Sequence, residues 1–339
     1  MLNLRVVFNI KYIILLSAFL ASCESSEDKN KNEWRKFFLE TDPQTNFYIS
    51  SMAQYDEETI IFSTYKYLDK NPLYIVRNDS MIAIDTSNIE NELSNLKVFY
   101  SSEKAKIWIN DYCILCYTPN SSTYRYWEVS NINGRNSGYL KMDINGDIWS
   151  SSYNGIWKYT NQRSEQFFPG KFFSEICLDK SKNIYIGTVP DVDQKGYLLK
   201  FNYYKWDTIY TCNSNSFCIS SMSFDNSNYL WCGVMSRSYI GNEYGGGVIK
   251  LGERVQEFNI LNSDLTSNSV VELNIDMHDN VWIGTYSGGI CKLQKDGKWV
   301  KYYFQNNIGL GQNFEHILVD DFNNIWASLQ FFGLVQFQE

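Results

Sequence analysis

The sequence predicts an all-β fold, a seven-bladed β-propeller with four-stranded antiparallel blades, the last of them closed by an N-terminal strand. Three observations carry the prediction: a motif that returns seven times, a strand pattern within each return, and a chain that ends one strand early.

The motif is clearest at Asp276-Met277-His278-Asp279-Asn280-Val281-Trp282-Ile283-Gly284-Thr285. Its aromatic position is filled along the chain by Phe62, Trp108, Trp149, Tyr185, Trp231, Trp282 and Trp326, and each follows an aliphatic residue. Six residues earlier stand Asp56, Ser102, Asp143, Asp179, Asp225, Asp276 and Asp320; two residues later stand Thr64, Asn110, Ser151, Gly187, Gly233, Gly284 and Ser328. Successive aromatics are 36 to 51 residues apart. A period of this size suits one four-stranded propeller blade.

Alternation and turn residues divide each repeat into strands. The innermost strand precedes the aspartate, as in Val270 to Ile275, and a hairpin turn follows. Asn145-Gly146 in that turn predicts a type I′ geometry. The second strand carries the aromatic. The third starts at a glycine, as in Gly155-Ile156-Trp157-Lys158-Tyr159 and Gly289-Ile290-Cys291-Lys292-Leu293. The outer strand is represented by Trp299-Val300-Lys301-Tyr302-Tyr303. After the third strand of the seventh repeat the chain stops, and Trp34-Arg35-Lys36-Phe37-Phe38 repeats the outer-strand pattern at the other end. Residues Glu33 to Phe38 are therefore expected to complete the last blade and remove an exposed sheet edge.

The aspartates are expected to serve the hairpins by accepting turn N–H groups rather than to form a ring of catalytic carboxylates. No metal site or cofactor is expected. Asp143 to Asp147 lacks the distant glutamate of a calcium loop. Cys113 and Cys116 fall three apart on one strand, where side chains point to opposite faces. Cys177, Cys232 and Cys291 read as small buried hydrophobes. Cys212 and Cys218 could pair as a disulfide in an oxidising compartment. The two histidines are His278, in a turn, and His316, on an innermost strand next to Glu315.

Residues 1–22 read as a signal peptide: Arg5 and Lys11, then an apolar run from Tyr12 to Leu20, then small residues before Cys23. Leu20-Ala21-Ser22-Cys23 resembles the lipobox of bacterial lipoproteins. The resemblance implies cleavage before Cys23, lipidation of Cys23, and a membrane contact through the lipid anchor. Residues 23–32 form a polar tether, and residues 33–339 a single propeller. The acidic start of the tether is similar to the surface-export signal of Bacteroidetes lipoproteins. Outer-membrane anchoring is expected, with the cell surface and the inward face both open.

The whole chain has 30 Lys and Arg against 38 Asp and Glu; without Arg5 and Lys11 the balance is 28 against 38, or −10. Such a surface does not suit nucleic acid, which needs cations to neutralise its phosphates.

The run from Asp276 to Leu293, with its aspartate, hairpin, Trp-Ile-Gly-Thr and Gly-Gly strand, resembles the two-component regulator propeller repeat. The likeness extends over residues 31–339. It implies an extracytoplasmic propeller of the kind that commonly forms the sensor of hybrid histidine kinases in gut Bacteroidetes, responding to glycans. No kinase motif accompanies it in these 339 residues.

Two loops between second and third strands are long, Thr188 to Lys195 and Val234 to Gly246. Long loops without a structural need are where binding residues tend to lie. Loop positions also collect Tyr112, Tyr153, Tyr239, Tyr244, Tyr286, Phe331 and Phe332, with Arg237, Asp191 and Asp193 nearby. Aromatic faces with a cation among them suit stacking on a sugar or gripping a peptide. The expected function is a non-catalytic binding or scaffold lipoprotein that recognises a glycan or envelope protein. The alternative is a metal-dependent lyase-type propeller enzyme using His316.

Overall fold

The computed structural model describes residues 34–37, 48–56, 59–65, 73–77, 80–83, 97–101, 106–110, 113–118, 123–128, 139–152, 154–160, 163–190, 195–212, 217–236, 245–286, 288–302, 314–329 and 333–337. Among the described residues the strands form seven four-stranded antiparallel sheets. The sixth is representative: Val270–Ile275 innermost, then Val281–Thr285, Gly289–Leu293 and Trp299–Tyr302 outermost. The innermost strands of the other sheets, in chain order, are Tyr48–Asp56, Lys97–Ser101, Leu140–Met142, Phe173–Leu178, Phe217–Phe224 and Phe314–Val319. Each lies against the innermost strand of the next sheet, and Phe314–Val319 lies against Tyr48–Asp56. The chain is an all-β propeller of four-stranded blades.

The last sheet is built from both ends of the chain. Trp34–Phe37 pairs antiparallel with Gly333–Phe337, in the register Trp34↔Phe337 to Phe37↔Leu334. Glu33 and Phe38, the ends of the predicted closing strand, lie outside the described residues.

The recurring aspartate has two tasks, one for each carboxylate oxygen. Asp276 Oδ1 accepts the N–H groups of His278 and Asn280, and Oδ2 accepts the indole N–H of Trp282 at 3.0 Å. Asp143, Asp225 and Asp320 hold Trp149, Trp231 and Trp326 in the same way, at 2.8 to 3.0 Å. Asp179 takes the phenol O–H of Tyr185. The six-residue spacing thus fixes the turn and aims the aromatic ring at once.

The hairpin differs from the type I′ turn that Asn145-Gly146 suggests. In the five described turns only the third residue after the aspartate is left-handed: Gly146, Lys182, Asn228, Asp279 and Asn323, with φ between 62° and 78°. Its N–H donates to the aspartate carbonyl, at 2.8 to 3.0 Å. This is a type I turn followed by one left-handed residue, and the reason is the carboxylate, which draws the next N–H groups around itself.

Packing then runs from blade to blade. Trp282 is fully buried among Phe314, Ile317 and Ile325 of the next sheet; Trp231 packs on Val270, Leu273 and Val281. Trp326 of the last sheet packs on Ile49, Ile60 and Phe62 of the first. Burying the roughly 200 Å² of an indole is worth about 5 kcal/mol at 25 cal/mol per Å². A lysine of the third strand covers the ring: Lys292 Nζ lies 4.7 Å from the Trp282 centroid and Lys250 Nζ 4.6 Å from that of Trp231.

Cys177, Cys232 and Cys291 are buried in the strands, as their sequence positions suggest. Cys212 and Cys218, which the sequence left open as a disulfide, are both buried as thiols. The backbone of Cys113–Thr118 forms a third strand.

Candidate functional site

The innermost strands enclose a cavity of about 440 Å³. Its most regular feature is a set of polar residues four positions before the blade aspartate: Tyr139, Glu175, Ser221, Glu272 and His316. In four of the five strands a β-bulge immediately precedes this residue, between Phe173 and Glu175, Ile219 and Ser221, Val270 and Glu272, and Phe314 and His316. A bulge shifts the alternation of a strand by one residue and so re-aims the side chain that follows.

Adjacent members of this belt join neighbouring sheets. His316 Nδ1 lies 3.0 Å from Glu272 Oε2, and the same oxygen accepts the N–H of Ile317 at 2.8 Å. Ser221 Oγ donates to the Leu273 carbonyl and accepts the Leu273 N–H, at 3.1 and 2.9 Å. Tyr139 hydrogen-bonds the Glu175 side chain. Burial, and then the Glu175 carboxylate, push the Tyr139 phenol well above its ordinary value. Lys141, Cys177, Ser223 and Asn274 line the cavity two positions further on.

The partner of His316 is therefore Glu272 of the neighbouring sheet, and not the adjacent Glu315. Among the described residues no three His, Cys, Asp or Glu side chains converge as a metal would require. The arrangement can hold a proton between imidazole and carboxylate, and it presents hydroxyls, a carboxamide and an ammonium to the channel.

The belt was missed by sequence reasoning. Its signal was there, as a polar residue four before each aspartate in the last five repeats.

The predicted aromatic face is placed only in part. Tyr286 is half-buried just after Val281–Thr285, and its N–H donates to the Ser269 carbonyl at 2.8 Å. Tyr112, Tyr153, Arg237, Tyr239, Tyr244, Phe331 and Phe332 lie outside the described residues, as does Cys23. The base of the long fifth-sheet loop is described. Leu230–Ser236 extends three residues into what the sequence reads as loop, pairing Ile219 with Val234, Cys218 with Met235 and Phe217 with Ser236. On the return, Gly247 N–H donates to the Asn268 carbonyl at 2.9 Å. Gly245 has φ +137°, and a Cβ there would stand 2.1 Å from the Asn268 oxygen. The loop base and Tyr286 are thus fastened to adjacent residues, Asn268 and Ser269.

No family model and no curated protein matches the chain. Solved structures do. The fold is similar to virginiamycin B lyase from Staphylococcus aureus, solved as a catalytically inactive variant with quinupristin, at TM-score 0.69 and 15% identity over 91% of this chain and 100% of that one. It is also similar to the extracellular domain of a putative hybrid two-component system from B. thetaiotaomicron, at TM-score 0.64 and 17% identity over 91% of this chain. A third likeness is to PorZ, a surface component of the type-IX secretion system of Porphyromonas gingivalis, at TM-score 0.63 and 12% identity over 86% of this chain. The chain spans 41% of the second structure and 46% of the third. These likenesses show a propeller fold whose neighbours include extracellular and cell-surface domains.

Proposed function

We propose that the chain is a non-catalytic binding or scaffold lipoprotein of the bacterial envelope, held to the outer membrane through Cys23. In this reading its sheets are the blades of one seven-bladed ring related to the two-component regulator propellers. It recognises a glycan or an envelope protein through the face carrying the loops between second and third strands.

The observation that supports this most is the common fastening of Tyr286 and the long loop base to Asn268 and Ser269. It sets the base of the fifth-sheet loop beside Tyr286 of the next sheet, where a stacking platform would form. The belt residues Ser221 and Glu272, by contrast, spend their hydrogen bonds on the next blade.

A glycan and peptide array with the mature chain tests the reading. Binding to one class is expected, lost in Tyr239→Ala/Tyr244→Ala and weakened in Tyr286→Ala with the melting temperature unchanged. Binding that survives all three substitutions rules out this face.

A second reading, a metal-dependent lyase-type enzyme, draws on the position of His316 beside Glu272 in the channel. Metal-dependent turnover of an eliminable substrate, abolished in His316→Ala, would favour it over the first.

A further inference from the structure

The two faces of the ring differ in what they carry. Antiparallel strand direction places the turn after each innermost strand, and the turn before each outer strand, on one face. The loops between second and third strands lie on the other. The register Trp34↔Phe337 sets the start of the closing strand beside the end of Gly333–Phe337, on the turn face. The chain before Trp34 therefore joins the ring there.

That face also exposes large apolar side chains. Ile144, Met277 and Phe322 sit at the tips of the turns after the innermost strands of the third, sixth and seventh sheets, 68%, 64% and 56% exposed. Tyr204, in the turn before the outer strand of the fourth sheet, is 95% exposed. Among the described residues only Leu261 is a comparable side chain on the opposite face. The turns have no structural need for these groups, because the aspartate and the left-handed residue specify them. Lys180 and Asn226 fill the position of Ile144 and Met277 in other sheets.

We propose that the turn face is laid against a lipid bilayer, with Ile144, Tyr204, Met277 and Phe322 entering the headgroup boundary. The inference rests on the reading of Cys23 as a lipid anchor. Singly exposed apolar residues are ordinary. Here four share one face, are spread over four sheets of the ring, and lie on the face that the tether joins. Points spread around a ring meet a flat surface together, which suits a bilayer better than a groove-binding peptide. The exposed charges in the described turns of this face are mostly cationic, with Arg163, Lys182, Lys205, Arg254, Lys295 and Lys298 against Glu253, Asp296 and Asp321, so contact should strengthen with anionic lipid and weaken with salt. A tether of residues 23–33 spans at most roughly 40 Å when fully extended, so it holds the ring close to its membrane. The face carrying Tyr286 and the long loops then points away from the bilayer, toward its ligand.

The test attaches the mature chain at Cys23 to phosphatidylethanolamine and phosphatidylglycerol vesicles. Its own acyl chains or a maleimide lipid make the attachment. An environment-sensitive fluorescent amino acid replaces either Phe322 or Leu261, and brominated lipid is the quencher. Quenching at position 322 at least threefold stronger than at 261 is expected. Equal quenching, or more at 261, overturns the proposal. With the probe at position 204, Ile144→Glu/Met277→Glu/Phe322→Glu should remove the quenching while attachment and near-UV circular dichroism persist; unchanged quenching also overturns it. Dimerisation of the untethered chain together with an unquenched probe at 322 would assign the face to a second copy instead. The acyl mass of the purified chain reports separately on the anchor.

Discussion

Trp282 and Asp276 are joined by an indole N–H that donates to a carboxylate oxygen across 3.0 Å, both residues lying within the core. The same carboxylate accepts the N–H groups of His278 and Asn280 and the side-chain amide of Asn280. Four donors converge on one buried anion. Asp276→Ala leaves all four to find other partners, and bonds to a buried charge are worth more than neutral ones. The expected loss is about 3 to 5 kcal/mol in urea denaturation. Trp282→Phe in the Asp276→Ala background should cost less than in the wild type, because the indole N–H has already lost its acceptor. Equal costs in both backgrounds would mean that the pair is not coupled.

A second prediction concerns the small residue two positions after the aromatic. At Gly187 an added Cβ would stand 2.7 Å from Ile219 Cβ, and at Gly233 2.6 Å from Val270 Cγ1, both on the next sheet. At Gly284 the nearest atoms are 3.6 Å away, an ordinary contact. Gly187→Ala and Gly233→Ala should each destabilise by about 1 to 3 kcal/mol, as overpacking does. Gly284→Ala should stay within about 0.5 kcal/mol of wild type. Three equal effects in chemical denaturation would disconnect this position from blade packing.

The repeat made the fold legible because its residues act within one blade. Asp276, its turn and Trp282 lie within seven positions, and the same bonds recur in other sheets. The polar belt was not read because its meaning lies across a blade boundary: Glu272 and His316 are 44 positions apart, and each looks locally like ordinary strand alternation. Asn145-Gly146 misled for a related reason, since the carboxylate of Asp143 outweighs the preference of the dipeptide. Tyr286 and the long loops carry no period, so neither repeat nor register speaks for their side chains.

The closing strand yields a third prediction. Trp34–Phe37 covers the edge of Gly333–Phe337, which would otherwise offer its backbone groups to solvent or to another chain. Deleting residues 31–40 removes four paired positions. At about 1 kcal/mol per ladder bond, and 2 to 4 °C per kcal/mol, the melting temperature should fall by roughly 10 °C. The shortened chain should also associate in a concentration-dependent way in sedimentation. An unchanged melting temperature would mean that the ring does not depend on this strand.

The buried thiols predict an alkaline limb of stability. Burial pushes Cys291 up to about 11, and Cys177 and Cys212 up to about 12. An unfolded thiol titrates near 8.5. The folded chain therefore holds these protons more tightly than the unfolded one. Their contribution is fully present below about pH 8.5 and is lost as pH rises toward the folded values. Between pH 9 and 10.5 each such thiol should lower the unfolding free energy by about 1.4 kcal/mol per pH unit. Lysines and tyrosines titrate in the same range, so the comparison must be differential. Cys291→Ala should flatten the limb by one thiol's share relative to wild type, whatever its cost at neutral pH. Parallel limbs would show that Cys291 ionises equally in the folded and unfolded chains, and that its burial does not control its proton. The same burial predicts that iodoacetamide at pH 8 leaves Cys232 and Cys291 unmodified in the folded chain and labels them in urea, a contrast that peptide mapping reads directly.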